Sequence, residues 1–103
     1  MSNSTNGGRR HEVHCSGVIA ESLRQLQRKA SRKTGSMAIA RAFRRIVQRL
    51  ERNPYAVGEP FYRLHVLRMQ VRTCALRPLL VDFAICEDRP LVFIKGVKLL
   101  PER

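Results

Sequence analysis

Residues 67–98 read LRMQVRTCALRPLLVDFAICEDRPLVFIKGVK, and the rest of the chain is organised around them. Short runs rich in Val, Ile, Leu and Phe are separated by Arg77-Pro78 and by Glu87-Asp88-Arg89-Pro90, where proline and acidic residues favour turns. The pattern predicts three consecutive strands in an antiparallel meander. In the first run Leu67, Met69, Val71 and Thr73 alternate with Arg68, Gln70 and Arg72, so a period of two predicts one core face and one basic face. The third run, Leu91 to Ile94, is apolar on both faces, which suits a central position covered on both sides better than an exposed edge.

Two helices are predicted upstream. Ile19, Leu23, Leu26 and Ala30 recur at spacings of three and four, which predicts a helix over Val18 to Lys33 with Ser16 as N-cap and Gly35 as its stop. Ser36 is positioned to cap a second helix through Arg52, whose apolar stripe is Ile39, Phe43, Ile46, Val47 and Leu50 and which Asn53-Pro54 ends. Only Thr34, Gly35 and Ser36 intervene, so the helices should form an antiparallel hairpin. The second stripe is expected to pack on the Leu67, Met69 and Val71 face as the main core. His11 to Ser16 alternates like a short strand, and Tyr55 to Val66, with Gly58 and Pro60, reads as a linker. Residues 1–10 are polar and glycine-containing, which predicts a disordered basic tail ahead of one domain over 11–103. The predicted class is α+β, a helical hairpin on a small antiparallel sheet in the order β-α-α-β-β-β.

Charge narrows the partners. Twenty Lys and Arg against eight Asp and Glu give a net charge of +12, and sixteen of the twenty are Arg. Guanidinium groups make forked bonds to phosphate and stack on bases, so a polyanion such as RNA is a better partner than a neutral small molecule. Arg24, Arg28 and Arg32 repeat every four residues on the first helix, and Arg41, Arg45, Arg49 and Arg52 follow a similar course on the second, with only Glu21 and Glu51 among them. Like charges at that spacing repel, so a face this one-sided suits a phosphate or an acidic partner. Cys15, Cys74 and Cys86 are odd in number and widely spaced, which argues against a zinc site and a disulfide framework and fits a reducing cytoplasm. No apolar run reaches the ~18 residues of a membrane span, and residues 1–10 lack the apolar stretch of a secretory signal, so a soluble, intracellular protein is expected. No GxxxxGK[ST] loop or HExxH motif is present, and no cofactor is expected.

With this element order, the passage "RNPYAVGEPFYRL" feeding "LRMQVR", and then "LLVDFAICEDRPLVFIKGVK", the chain resembles the RelE/ParE family of small toxins from type II toxin–antitoxin systems. The resemblance runs from about His11 to Lys98. It implies a cytoplasmic toxin that inhibits translation by ribosome-dependent mRNA cleavage without a metal, paired with an acidic antitoxin protein. By position it implies that Gln70 and Arg72 fall where two basic residues of the first strand would stand, and that Lys98, two residues after Gly96, falls where the basic residue after the last strand would stand; Arg72, Lys98, Arg77 and Lys95 are the catalytic candidates. Leu79 occupies the place of a second-strand arginine, and no tyrosine follows the last strand. Arg68, Arg63, Tyr62, Arg45 and Arg49 are the further RNA-contacting candidates, and Arg68, Arg72 and Lys98 are expected to converge on one phosphate-binding surface of the sheet. Cleavage through a 2′-hydroxyl also needs a proton acceptor, which arginine does not provide near neutral pH; Lys95, Lys98 or His65 would have to act. The alternatives are a non-catalytic relative, gyrase-directed or degenerate, and a small basic RNA-binding protein.

Overall fold

A computed structural model describes residues 10–30, 32 and 35–101. Strand β1 (Glu12–His14) is followed by helices α1 (Gly17–Lys29) and α2 (Ser36–Arg52), a 3₁₀ turn at Pro54–Ala56, and strands β2 (Glu59–Leu64), β3 (Met69–Leu76), β4 (Leu79–Cys86) and β5 (Leu91–Leu99). The class is α+β: a helical hairpin covers one face of a five-stranded sheet of order β1-β5-β4-β3-β2. All neighbours pair antiparallel except β1, which runs parallel to β5. The expected three-strand meander is present as β3-β4-β5, and β5 is central and not an edge, between β1 and β4, with helices over one of its faces where its apolar run predicts cover on both.

The local signals explain the helices with two adjustments. Ser16 caps α1 by accepting the Ile19 N–H, but the helix ends at Lys29, where Ala30 turns to extended backbone and its N–H donates to the Gln27 oxygen. Gly35 serves as the N-cap of α2 at a φ of 77°, a region open to glycine, and Ser36 is already the first helical residue. The predicted end at Lys33 and nearly all of the predicted N-terminal tail lie outside the described residues. No described helix is long and apolar enough to cross a membrane.

The core lies between the hairpin and β4-β5. Ile39, Ala42, Ile46 and Leu50 of α2 and Ile19 of α1 meet Leu79, Val81, Phe83 and Ile85 of β4 and Val92 and Ile94 of β5. Every second residue of β4 from Leu79 to Ile85 is fully buried, which is the period of two with a helix layer above it.

Two expectations are corrected. The segment Tyr55 to Val66 is more than a linker, since it contains the edge strand β2. More consequential is the face of β3. Arg72 pairs with Phe83, Gln70 with Ile85 and Cys74 with Val81, so these even-numbered residues lie on the helix side, while Val71 pairs with Ala84 on the open side. The reason is a change of cover along one strand. Cys74 and Leu76 meet the helical core, whereas Arg72 lies under the Val57-Gly58 passage, whose carbonyl oxygens receive its guanidinium. Alternation read over residues 67–73 misses the apolar pair at 74 and 76 that fixes the register.

Candidate nucleic-acid interface

The predicted site residues fall into three places. The first is the helix side of the β2-β3 hairpin. Arg72 is only 8% exposed; its Nε donates to the Val57 oxygen at 3.0 Å, Nη2 to the Gly58 oxygen at 3.0 Å and Nη1 to Gln70 Oε1 at 2.8 Å. A cation bound this fully by backbone and amide oxygens has little left to offer a phosphate. Arg63 is paired with Glu87 through Nε and Nη2, each at 2.6 Å. These hydrogen bonds hold the Glu87 carboxyl below the ordinary range and raise Arg63. Arg68, at a φ of 53°, occupies the turn before β3, and its carbonyl accepts the Glu87 N–H at 2.9 Å. His65 places Nδ1 at 3.1 Å from Arg63 Nη1.

The second place is the open sheet face. Lys98 pairs with Leu80 there, and Lys95 is the exposed extra residue where the β4-β5 register shifts. Tyr62 pairs with Val71 on the same face and is 46% exposed, with the Phe61 ring edge-on at 5.0 Å. Arg72 and Lys98 therefore lie on opposite faces, and the expected convergence of Arg68, Arg72 and Lys98 does not occur. Nor is this face uniformly basic. Asp82, opposite Gly96, and Glu59, opposite Thr73, lie in one cross-strand row.

The third place is the flank of α2, where tertiary structure gathers more positive charge than the sheet does. Arg41 and Arg45 line a cleft of about 160 Å³ together with Arg77 from the β3-β4 turn, over Ala38, Ala42 and Leu76. Arg49 lines the adjoining cleft of about 130 Å³ with Val57, Gly58, Cys74 and Leu76. All four arginines are exposed, and no salt bridge among the described residues involves them. The α1 row differs, because Glu21 bonds both Arg24 and Arg28, whose hydrogen bonds hold its carboxyl low. Cys74 is a buried wall of the Arg49 cleft, and burial pushes its thiol up, against the opposing charge of that arginine. The repeat Arg41-Arg45-Arg49 is visible in the sequence; its meeting with Arg77 is not, since no local pattern places a turn 28 residues beyond Arg49 beside the helix.

The clefts offer several permanently charged donors, which suits phosphate binding and provides no proton acceptor. Among the described residues, no group of three or more His, Cys, Asp or Glu side chains is arranged to hold a metal ion. Comparison with protein-family profiles, with curated proteins and with solved structures returns no match to the chain.

Proposed function

We propose that the chain is a RelE/ParE-like toxin-class domain that binds RNA of the translation machinery through its phosphates and does not cut it. The observation that carries the reading is the meeting of Arg41, Arg45 and Arg77 in one cleft, with Arg49 in the next. The binding-only form is favoured over cleavage because Arg72 is bound to Val57, Gly58 and Gln70 and because Lys98 lies on the other face. As one half of a toxin–antitoxin pair, the domain would take an acidic antitoxin protein as its partner.

Two measurements test this. RNA affinity should fall steeply with salt, and the Arg45→Ala, Arg49→Ala double variant should flatten the slope of log K on single-stranded RNA by about 0.7 for each phosphate no longer bound. Wild-type protein on purified, mRNA-programmed ribosomes should bind without producing cleaved message. Cleavage by wild type would restore the nuclease reading, and salt-insensitive binding would remove the phosphate reading altogether.

A further inference from the structure

We infer that the α2 arginines continue round the end of the sheet to Lys98 as one phosphate track, and that this track takes a single nucleic-acid strand in preference to a duplex. The inference rests on the nucleic-acid reading above and specifies its ligand.

The first limb is the helix. Arg41, Arg45 and Arg49 repeat every four residues, so each advances about 6 Å along α2, a step comparable to that between successive phosphates of one strand. The bend is the β3-β4 turn, where Arg77 faces Arg41 and Arg45 across their shared cleft. The second limb begins directly beside that turn. Leu79 pairs with Leu99, the Leu100 N–H donates to the Pro78 oxygen at 2.8 Å, and Leu80 pairs with Lys98. Lys98 is thus held next to the turn but on the face away from the helices, so the line from Arg45 through Arg77 to Lys98 passes from one side of the sheet to the other.

That bend selects the ligand. A duplex is stiff over roughly 150 base pairs and does not fold round a sheet edge within a few nucleotides. A single strand rotates about each backbone bond and follows such a path. The track also has an end. Asp82, half-buried opposite Gly96, is in the next row of the open face, and its carboxylate repels phosphate between Lys98 and Lys95. The strand therefore leaves the protein after Lys98 and does not cross the open face. The contacts are to phosphate, so single-stranded DNA follows the same path with 2′-hydroxyl contacts missing.

Fluorescence anisotropy with a labelled uridine oligonucleotide, its DNA counterpart and an RNA duplex of equal length, measured over a salt series on the full chain, tests the track. Wild type should bind both single strands more tightly than the duplex. Arg77→Ala and Lys98→Ala should each lower the single-strand salt slope by about 0.7, and Lys98→Ala should leave the duplex slope unchanged. Arg45→Ala should weaken both. All three positions are exposed, and unchanged circular dichroism and melting temperature establish that the variants fold. Equal binding of strand and duplex, or a silent Lys98→Ala, overturns the track while the nucleic-acid reading stands. Failure of wild type to bind any of the three probes removes that reading and the track together.

Discussion

Arg72 holds Gly58 in place: its Nη2 donates to the Gly58 carbonyl oxygen at 3.0 Å while its Nε donates to the neighbouring Val57 oxygen at the same distance. One guanidinium thereby fastens the passage leaving α2 onto the middle of β3. Arg72→Met keeps the apolar stem and removes the donors, leaving the Val57 and Gly58 carbonyl oxygens and Gln70 Oε1 without them. The expected loss is roughly 1.5–3 kcal/mol, the range for hydrogen bonds to a charged group. Chemical denaturation gives the value directly. A loss of a few tenths would mean that Arg72 is free to serve a ligand.

The glycine on the other side of that hydrogen bond makes a stricter prediction. Gly58 has a φ of 66°, and a Cβ there would overlap the Thr73 oxygen and come within 2.7 Å of Cys74 Cβ. Gly35 has a similar φ of 77° with nothing near its Cβ position. Gly35→Ala should therefore cost only backbone strain, about 1–2 kcal/mol, and Gly58→Ala clearly more, because the strand itself must move. Equal melting temperatures for the two variants would show that β3 yields at this point.

Core depth on α2 separates residues that its sequence stripe groups together. Ile46 and Leu50 are buried against the sheet, while Phe43 and Val47 are half-buried beside Leu23 along the α1-α2 groove. Leu50→Ala should cost about 2–5 kcal/mol. Phe43→Ala should cost less than Leu50→Ala despite removing a larger side chain, because its ring is partly solvated already. Urea midpoints at constant slope decide the order.

These contrasts mark how far the sequence is legible. The helices, the β3-β4-β5 meander and the interior place of β5 follow from periodicity and turn residues, which act over a few neighbours. The edge strand β2 is masked by Gly58 and Pro60, residues that punctuate loops, and by a register shift between Pro60 and Tyr62. The faces of β3 are misread because the charge at Arg72 is satisfied from another part of the chain. The candidate site suffers for the same reason. Arg45, Arg49 and Arg77 are nameable from composition and spacing, but their meeting depends on how α2 lies against the β3-β4 turn.

His11 supplies a pH dependence. Its backbone N–H donates to the Glu51 oxygen at 2.8 Å, its ring meets the Tyr55 ring edge-on at 6.3 Å, and its Nδ1 is buried without a hydrogen-bond partner among the described residues. The Glu51 carboxylate, in turn, bonds Arg10 at 2.9 Å. Burial lowers the imidazole pKa below its ordinary value of about 6.5. Below that value the unfolded chain takes up a proton that the folded chain resists, so the unfolded state binds more protons and stability decreases as the pH is lowered. The fall begins near the ordinary imidazole value and levels off once the pH drops below the folded pKa. His11→Gln removes the titration, so the difference in unfolding free energy between wild type and variant should change between neutral pH and the region just below about 6.5. Denaturation at a series of pH values measures it. A constant difference across that window would mean that the imidazole titrates alike in both states and that its burial carries no electrostatic consequence.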